Sequence, residues 1–359
     1  MNDLAAPADA AHLARALELA ARGLYTTDPN PRVGCVLVRD GRTVGEGWHE
    51  RAGGPHAEVR ALEAAGEAAR GAEAFVSLEP CSHVGRTGPC AEALIAAGVR
   101  RVVACSADPD PRVSGSGFAR LRAAGVEVAS GVLETEARAL NPGFFSRFER
   151  RRPFVRLKMA MTLDARTARG DGTRLEISSP ASRLDVQHWR ARSGAVLTGS
   201  GTVLVDDPFL NVRLDYGPAV RQPLRVVLDS DLRTAPGANI YREGPSLRIS
   251  AAGRAAPAGG PPVETVPRTA TGLDLQAVLT CLAEREVNEL LVECGARLAG
   301  SFLAAGLVDE LVLYVAPRLL GSAAAPLAVL EGFAGTGAFE FRNVQSIGDD
   351  VRLLLSRLR

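Results

Sequence analysis

Apolar and polar positions divide the chain into short helical and extended segments that alternate from end to end. Leu13, Leu17 and Ala20 recur at helical spacing within residues 9–22, with Asp9 read as the N-cap and Gly23 as the stop. Residues 33–39 and 43–48 read as strands around Asp40-Gly41, a hairpin signal. A helix is expected over 57–69, a strand over 74–78, a helix over 91–97 closed by Gly98, and a strand over 101–105. Residues 118–124 and 126–129 add one more helix and strand. This alternation predicts α/β layers on a largely parallel sheet. Beyond Pro153 the pattern restarts. Strands are expected at 154–159, 195–198, 224–228, 289–292 and 310–315, and helices at 180–191, 274–285 and 298–304. The Ala/Gly/Pro-rich stretch 251–262 reads as a surface loop. Two domains follow, 1–147 and 152–359. Between them Arg147, Arg150, Arg151 and Arg152 read as an exposed helix end before a linker, because Phe148 and Glu149 interrupt the basic run.

Composition narrows the function. A formal charge of +1 on 359 residues argues against an electrostatic nucleic-acid binder, which needs a basic face. No run of about 18 apolar residues occurs, and the first residues carry acids without a basic segment, so neither a membrane span nor a secretory signal is expected. The expected location is the cytoplasm. Six cysteines in such a chain read as metal ligands or buried thiols rather than disulfides. Of 42 basic residues all but Lys158 are arginine. Arginine bias explains most of that, but a compact ammonium cannot be replaced by a guanidinium fork, so the surviving lysine draws attention.

The dominant chemical signal is His56-Ala57-Glu58, then Glu79-Pro80-Cys81 and Pro89-Cys90. One imidazole and two thiolates give zinc three ligands and leave the fourth position open, which is the catalytic rather than the structural pattern. A zinc ion there lowers the pKa of water towards about 7. Glu58, in the first turn of its helix, reaches such a water without ligating the metal and can shuttle its proton to a leaving amine. Cys81 and Cys90 are each read near a helix start, which favours thiolate. The pattern departs from the H-x-E, P-C-x-x-C signature of zinc deaminases, since eight residues separate the cysteines.

The intervening Ser82-His83-Val84-Gly85-Arg86-Thr87-Gly88-Pro89, with Pro29-Asn30-Pro31-Arg32-Val33-Gly34-Cys35 and the run from Gly47-Trp48-His49 to Glu58, closely resembles the deaminase half of the bacterial bifunctional riboflavin-biosynthesis family (RibD). That family deaminates a diaminopyrimidine carrying a phosphoribosylamino group and then reduces the ribosyl ring to a ribityl chain. The resemblance covers essentially the whole chain. It implies a cytidine-deaminase-like α/β/α domain in which His56, Cys81 and Cys90 hold Zn2+ and Glu58 is the proton shuttle. It further implies Asn30, His49, His83 and Arg86 as substrate contacts. Gly88 stands where the family usually has a proline.

The second half is less explicit. Glu293-Cys294-Gly295-Ala296 joins a strand to a helix, where backbone N–H groups can cradle phosphate, although one glycine alone favours a plain strand–helix turn. It is not G-x-G-x-x-G, so a Rossmann domain is not indicated. Gly199-Ser200-Gly201-Thr202-Val203-Leu204-Val205-Asp206-Asp207 reads as a tight loop. Residues 158–168, 198–208, 229–230, 292–295 and 317–321 resemble the reductase half of the same family. That resemblance implies a dihydrofolate-reductase-like α/β fold that uses NADPH and forms a homodimer. By position it puts Ala160, Thr202, Asp206, Ser230 and Gly295 on the cofactor, and Arg190, Leu210, Arg213 and Glu293 on the substrate. Lys158 stands on the catalytic strand. The chain departs from the family at Ala165, usually glycine, at Arg174 and Glu176, usually Ser or Thr and then Trp, and at Ala296-Arg297, usually Pro-Thr. These departures keep open a deaminase whose second domain only binds or dimerises. A nucleoside or nucleic-acid deaminase is the other alternative, disfavoured by the cysteine spacing and the balanced charge.

Overall fold

The computed structural model describes residues 7–82, 88–171, 173, 175–215, 217, 220–253, 259–270, 272–331, 333 and 337–358. Two compact units divide at 151/152.

The first unit runs α1 (Pro7–Ala21), β1 (Gly34–Arg39), β2 (Arg42–Trp48), α2 (Ala57–Ala65), β3 (Glu73–Val76), α3 (Cys90–Ala96), β4 (Arg101–Ala104), α4 (Ser116–Ala123), β5 (Glu127–Ser130), α5 (Glu134–Leu140) and α6 (Pro142–Arg150). Its sheet has the order β2-β1-β3-β4-β5. Only β3, β4 and β5 pair in parallel, while β1 is antiparallel to both β2 and β3. The expectation of a largely parallel sheet is therefore corrected here: the Asp40-Gly41 hairpin forces β1 and β2 to oppose, and β3 follows the sense of β2. Both faces are covered, with α2, α3 and α4 residues in one apolar cluster and α1 and α5 residues in another. Helix α2 approaches β2 as only glycine permits, since a Cβ at Gly47 would fall 2.4 Å from the Ala57 carbonyl oxygen. That contact fixes where α2 begins. Two boundaries differ from the sequence reading, the end of α2 and the start of α1. Helix α2 ends at Ala65, and Gly66–Ala69 tightens into a 3-10 turn. Helix α1 begins before Asp9, so Asp9 is not its N-cap. Its buried carboxylate instead takes the Arg101 guanidinium in two hydrogen bonds of 3.0 and 2.8 Å.

The second unit runs β6 (Phe154–Thr162), β7 (Arg166–Ala168), α7 (Pro180–Ala191), β8 (Ala195–Gly199), α8 (Ser200–Asp206), β9 (Leu224–Leu228), β10 (Ser246–Ala251), β11 (Val263–Val266), β12 (Arg268–Thr269), β13 (Gly272–Leu273), α9 (Leu275–Glu284), β14 (Glu289–Glu293), α10 (Ala296–Ala304), β15 (Glu310–Ala316), β16 (Ala325–Pro326), β17 (Phe339–Ile347) and β18 (Asp350–Arg357). Nine strands order as β11-β10-β9-β8-β14-β6-β15-β18-β17. The first seven are mutually parallel, and β18 and β17 close the edge antiparallel. Near-continuous apolar runs such as β8 and β14 suit a sheet buried on both faces. Arg156, buried in β6, pairs with Glu289 on β14 and Glu310 on β15 and so ties the three central strands together.

Three features here differ from the sequence reading. The segment read as a tight loop after β8 forms α8, because Thr202 to Val205 continue from Ser200 as a helical turn. The hairpin β17–β18, the edge strand β11 and its neighbour β10 were not expected, since Arg, Asn and Ser interrupt their apolar alternation. In the stretch read as a loop, Ala251 closes β10, and 254–258 lie outside the described residues.

Ala165, the departure from glycine, sits at φ +56° in the turn between β6 and β7. The left-handed conformation costs an L-residue roughly 1–2 kcal/mol, and the added freedom of glycine in the unfolded chain offsets about 0.4–1 kcal/mol of the gain. Ala165→Gly is therefore expected to stabilise the protein by up to about 1 kcal/mol, seen as a higher urea midpoint at unchanged slope. A lower midpoint would show that the alanine methyl makes a contact that outweighs the strain.

Candidate functional sites

In the first unit, α2 starts directly after His56, whose extended backbone (φ −75°, ψ 166°) places the imidazole at the helix end with Glu58 in the first turn. Cys90 is the first residue of α3, behind Pro89. Cys81 does not begin a helix, as the sequence reading had it. It lies in the loop after β3, and its Sγ accepts the Cys90 backbone N–H at 3.3 Å, so it draws on the start of α3 instead. The ligand atoms of His56, Cys81 and Cys90 lie within 4.8 Å of one another. His56 Nδ1 is 3.2 Å from Cys90 Sγ and 3.6 Å from Cys81 Sγ. The two sulfurs share a proton, which lowers the Cys81 thiol to about 4 and raises that of Cys90. Hydrogen bonding to Cys81 raises the His56 pKa. Glu58 is 3% exposed, and burial, then the charge of Cys81, pushes its carboxyl up to about 7. Its Oε2 is buried without a hydrogen-bond partner among the described residues. One imidazole, two sulfurs and an unsatisfied carboxylate oxygen fit a zinc ion with one open position.

Around this triad, His49 Nδ1 donates to the Pro55 carbonyl at 3.0 Å, which leaves Nε2 to accept from the Asn30 amide at 3.1 Å. Burial lowers the His49 pKa and keeps the ring neutral. Two further side chains hold the loops around it. The buried Glu79 carboxylate accepts backbone N–H groups from Asp108, Gly115, Gly117 and Phe118 at 2.9–3.2 Å. It thereby holds the 108–118 loop beside Cys81, where burial pushes the Asp108 carboxyl up to about 7. Asn141, at the junction of α5 and α6, accepts the Arg32 N–H at 2.8 Å and donates to the Arg32 carbonyl at 2.9 Å. That reciprocal pair fastens the loop carrying Asn30. An acid before Pro-Cys was visible as a signal for Glu79, and nothing local signalled Asn141. His83 and Arg86 lie outside the described residues.

In the second unit, Lys158 of β6 and Glu293, the last residue of β14, are register partners on adjacent parallel strands. They face one cavity of about 870 Å³ at the carboxyl ends of the strands, where β14 inserts between β6 and β8 and the chain then turns to β15 on the other side. Ligands of open parallel sheets bind at such a switch point. Arg190 of α7 grips Glu293 with Nε–Oε1 2.6 Å and Nη2–Oε2 3.0 Å, and its Nη1 donates to the Asn211 carbonyl at 3.2 Å. Burial opposes ionisation of Glu293, but Arg190 and then Lys158 hold its pKa below the usual carboxylate range. Burial lowers the Lys158 pKa against the pull of Glu293. The Lys158 ammonium also stands 5.6 Å from the Tyr314 ring centroid.

Ala160, Thr202, Asp206, Leu210, Arg213 and Gly295 line the same cavity. Leu210 does so at φ +52°, a strained conformation for a bulky residue. Arg190, which the family resemblance puts on the substrate, has all three of its nitrogens tied to Glu293 and Asn211. Ser230 lines a second cavity of about 1200 Å³ that shares Gly201, Thr202, Gly295, Ala296 and Ala325 with the first. A Cβ at Gly201 or Gly295 would project into open space, so this shared neck admits a bound molecule close to the backbone. A long cofactor threading both cavities fits it. Of the departures from the family, Glu176 lines the first cavity, Arg297 the second, and Arg174 lies outside the described residues.

Two family models match the chain. One described as the RibD C-terminal domain matches residues 153–353, and one described as the cytidine and deoxycytidylate deaminase zinc-binding region matches 7–106. The chain is 47% identical over 362 residues to riboflavin biosynthesis protein RibD of Escherichia coli (strain K12), covering 97% of this chain and 99% of that one. A solved structure of Acinetobacter baumannii RibD is similar at TM-score 0.91 and 42% identity over 98% of this chain and 99% of that chain. A Thermotoga maritima structure named a diaminohydroxyphosphoribosylaminopyrimidine deaminase/5-amino-6-(5-phosphoribosylamino)uracil reductase is similar at TM-score 0.85 and 32% identity over 98% and 99%.

Proposed function

The chain belongs to the RibD family of bifunctional riboflavin-biosynthesis enzymes, and from that membership we propose how its residues divide two reactions. A cytidine-deaminase-like α/β/α unit precedes a dihydrofolate-reductase-like α/β unit. The substrate is a small phosphorylated pyrimidine. The chain deaminates 2,5-diamino-6-(5-phosphoribosylamino)pyrimidin-4(3H)-one hydrolytically and reduces the ribosyl group of the product to ribityl phosphate.

In the first reaction His56, Cys81 and Cys90 hold zinc, which when bound supplies the Lewis acid that makes a water nucleophilic at neutral pH. Glu58 takes the proton released by that water and returns it to the departing amine, so the C–N bond breaks as ammonia leaves. Its elevated pKa suits a group that must both accept and give a proton near neutrality. Neutral His49, with both ring nitrogens engaged by Pro55 and Asn30, fixes the Asn30 amide that hydrogen-bonds the pyrimidine and lays its ring beside the substrate, and His83 and Arg86 complete the substrate contacts, Arg86 at the phosphate. In the second reaction NADPH, when bound, supplies the hydride. Lys158 donates a proton to the sugar oxygen that separates from C1, and Glu293, fixed by Arg190, keeps that ammonium charged and aimed. Arg213 faces the substrate phosphate, and Leu210 packs on the substrate. Ala160, Thr202, Asp206, Ser230 and Gly295 line the path for the cofactor.

The observation that carries this reading is the convergence of the three ligand atoms beside a buried Glu58 oxygen without a partner. The deaminase-only reading is not favoured, because the reductase-domain match spans 153–353. A cytoplasmic location agrees with the described residues, in which no helix is long and apolar enough to cross a membrane. A homodimer built on the second unit is supported by Phe341 and Val344, 64% and 61% exposed on the edge strand β17. A coupled assay tests the whole. On the diaminopyrimidine substrate, ammonia release should precede NADPH oxidation. A zinc chelator should abolish both, while supplying the deaminated product should restore NADPH oxidation alone. Chelator-resistant ammonia release would overturn the zinc assignment.

A further inference from the structure

Lys158 stands on β6 between β14 and β15, and α7 anchors a partner of Lys158 on each of these strands. On β14 the partner is Glu293, in register with Lys158 and held by Arg190 of α7 at 2.6 and 3.0 Å. On β15 the register sets Val312 opposite Lys158 and Tyr314 opposite Ala160, so Tyr314 shares the sheet face of Lys158 two residues further on. The Tyr314 hydroxyl donates to Asp185 Oδ2 of α7 at 2.5 Å. Arg352 of β18 donates to both Asp185 oxygens at 3.1 and 2.9 Å, which holds that carboxylate in place. Tyr314 is fully buried, behind Lys158 rather than on the cavity wall, and its ring centroid is 5.6 Å from Lys158 Nζ. Burial and then Asp185 raise the phenol pKa, so the hydroxyl keeps its proton on Asp185 and Lys158 meets the ring face of a neutral tyrosine. Glu176, Arg183, Asp206, Asp207 and Arg213 also line the cavity. Burial opposes the charge on Lys158, Glu293 supports it and Arg190 opposes it. An aromatic face within about 6 Å is a second support, and a stronger one where water is excluded.

From this arrangement, and resting on the reductase reading above, we propose that Tyr314 is a positioning residue for reduction: its ring, fixed by Asp185, keeps the Lys158 ammonium charged and centred between β14 and β15. Helix α7 then serves both flanks of the proton donor, through Arg190 and Glu293 on one side and through Asp185 and Tyr314 on the other.

Because Lys158 is the only lysine in the chain, lysine labelled with carbon-13 at Cε gives one NMR signal, whose dependence on pH reads this ammonium directly. Loss of a partner of the charged form favours the free amine. Tyr314→Leu should therefore move the titration to lower pH by about 1 unit, and Tyr314→Phe, which keeps the ring, by roughly half of that or less. The high-pH limb of kcat for reduction should move in the same direction in the same order of variants, with the KM for NADPH unchanged. NADPH binding, followed by fluorescence, is the control for folding of the second unit. If Tyr314→Leu fails that control, Tyr314→Phe is compared with a ring-trifluorinated phenylalanine at the same position. The electron-poor ring has nearly the same shape and should titrate lower. Equal titrations of these two rings would overturn the assignment. A titration that Tyr314→Leu leaves in place, in a variant that binds NADPH, would overturn it too and leave the reductase reading standing. So would a fall in kcat that is equal at every pH. A titration that moves while the reduction profile does not would overturn both the acid role of Lys158 and the positioning role of Tyr314.

Discussion

Glu58→Gln is expected to lower hydrolytic deamination by about 10²–10⁴-fold, the range a positioned proton-transfer group contributes. Glutamine keeps the shape of the side chain and is neutral. Burial already opposes ionisation of this carboxyl, so the substitution adds no charge to a site that resists one. The zinc content of the variant should therefore equal that of wild type, and only ammonia release should fall. NADPH oxidation on the deaminated product should be unaffected, because Lys158 and Glu293 belong to the other unit. Full ammonia release by Glu58→Gln would show that another group moves the proton.

Lys158→Arg should lower NADPH oxidation by about 10²-fold or more while leaving ammonia release unchanged. Charge is conserved in this substitution and geometry is not. A guanidinium is planar and wider, and displacement of a reacting group by about 1 Å can cost 10²-fold. The space is also committed, with Glu293 in register on the next strand, Arg190 clamped to it, and the Tyr314 ring below. The loss should fall on kcat more than on the KM for NADPH, since Lys158 acts at the reacting sugar. An unchanged rate would make the single lysine a compositional accident.

Most of the chemistry was written locally. His56, Glu58, Cys81 and Cys90 are separated by turns and helix starts whose geometry their neighbours dictate, so a ligand set could be read from spacing. Lys158 and Glu293 are different. Lys158 lies in the middle of β6 and Glu293 ends β14, and only strand register brings them together across more than a hundred residues. The order β8-β14-β6-β15, in which a late strand inserts beside the first, has no trace in local periodicity. Asn141 was missed for the same reason, since its partners are backbone groups that carry no side-chain signature. The loop read at Gly199 to Asp207 failed differently. Two glycines and paired acids outweighed Val203-Leu204-Val205 in the reading, whereas the end of a parallel strand favours an immediate helix.

The clasp between Asn141 and Arg32 joins residues 109 positions apart. At the roughly 5–20 residues per second of synthesis, the loop bearing Asn30 waits about 5–20 s for its fastener to be made. All three zinc ligands emerge well before then, so a nascent chain can acquire metal before it can seat a pyrimidine. A fragment ended at residue 106, where the zinc-binding family match stops, would keep the ligands and never gain the clasp.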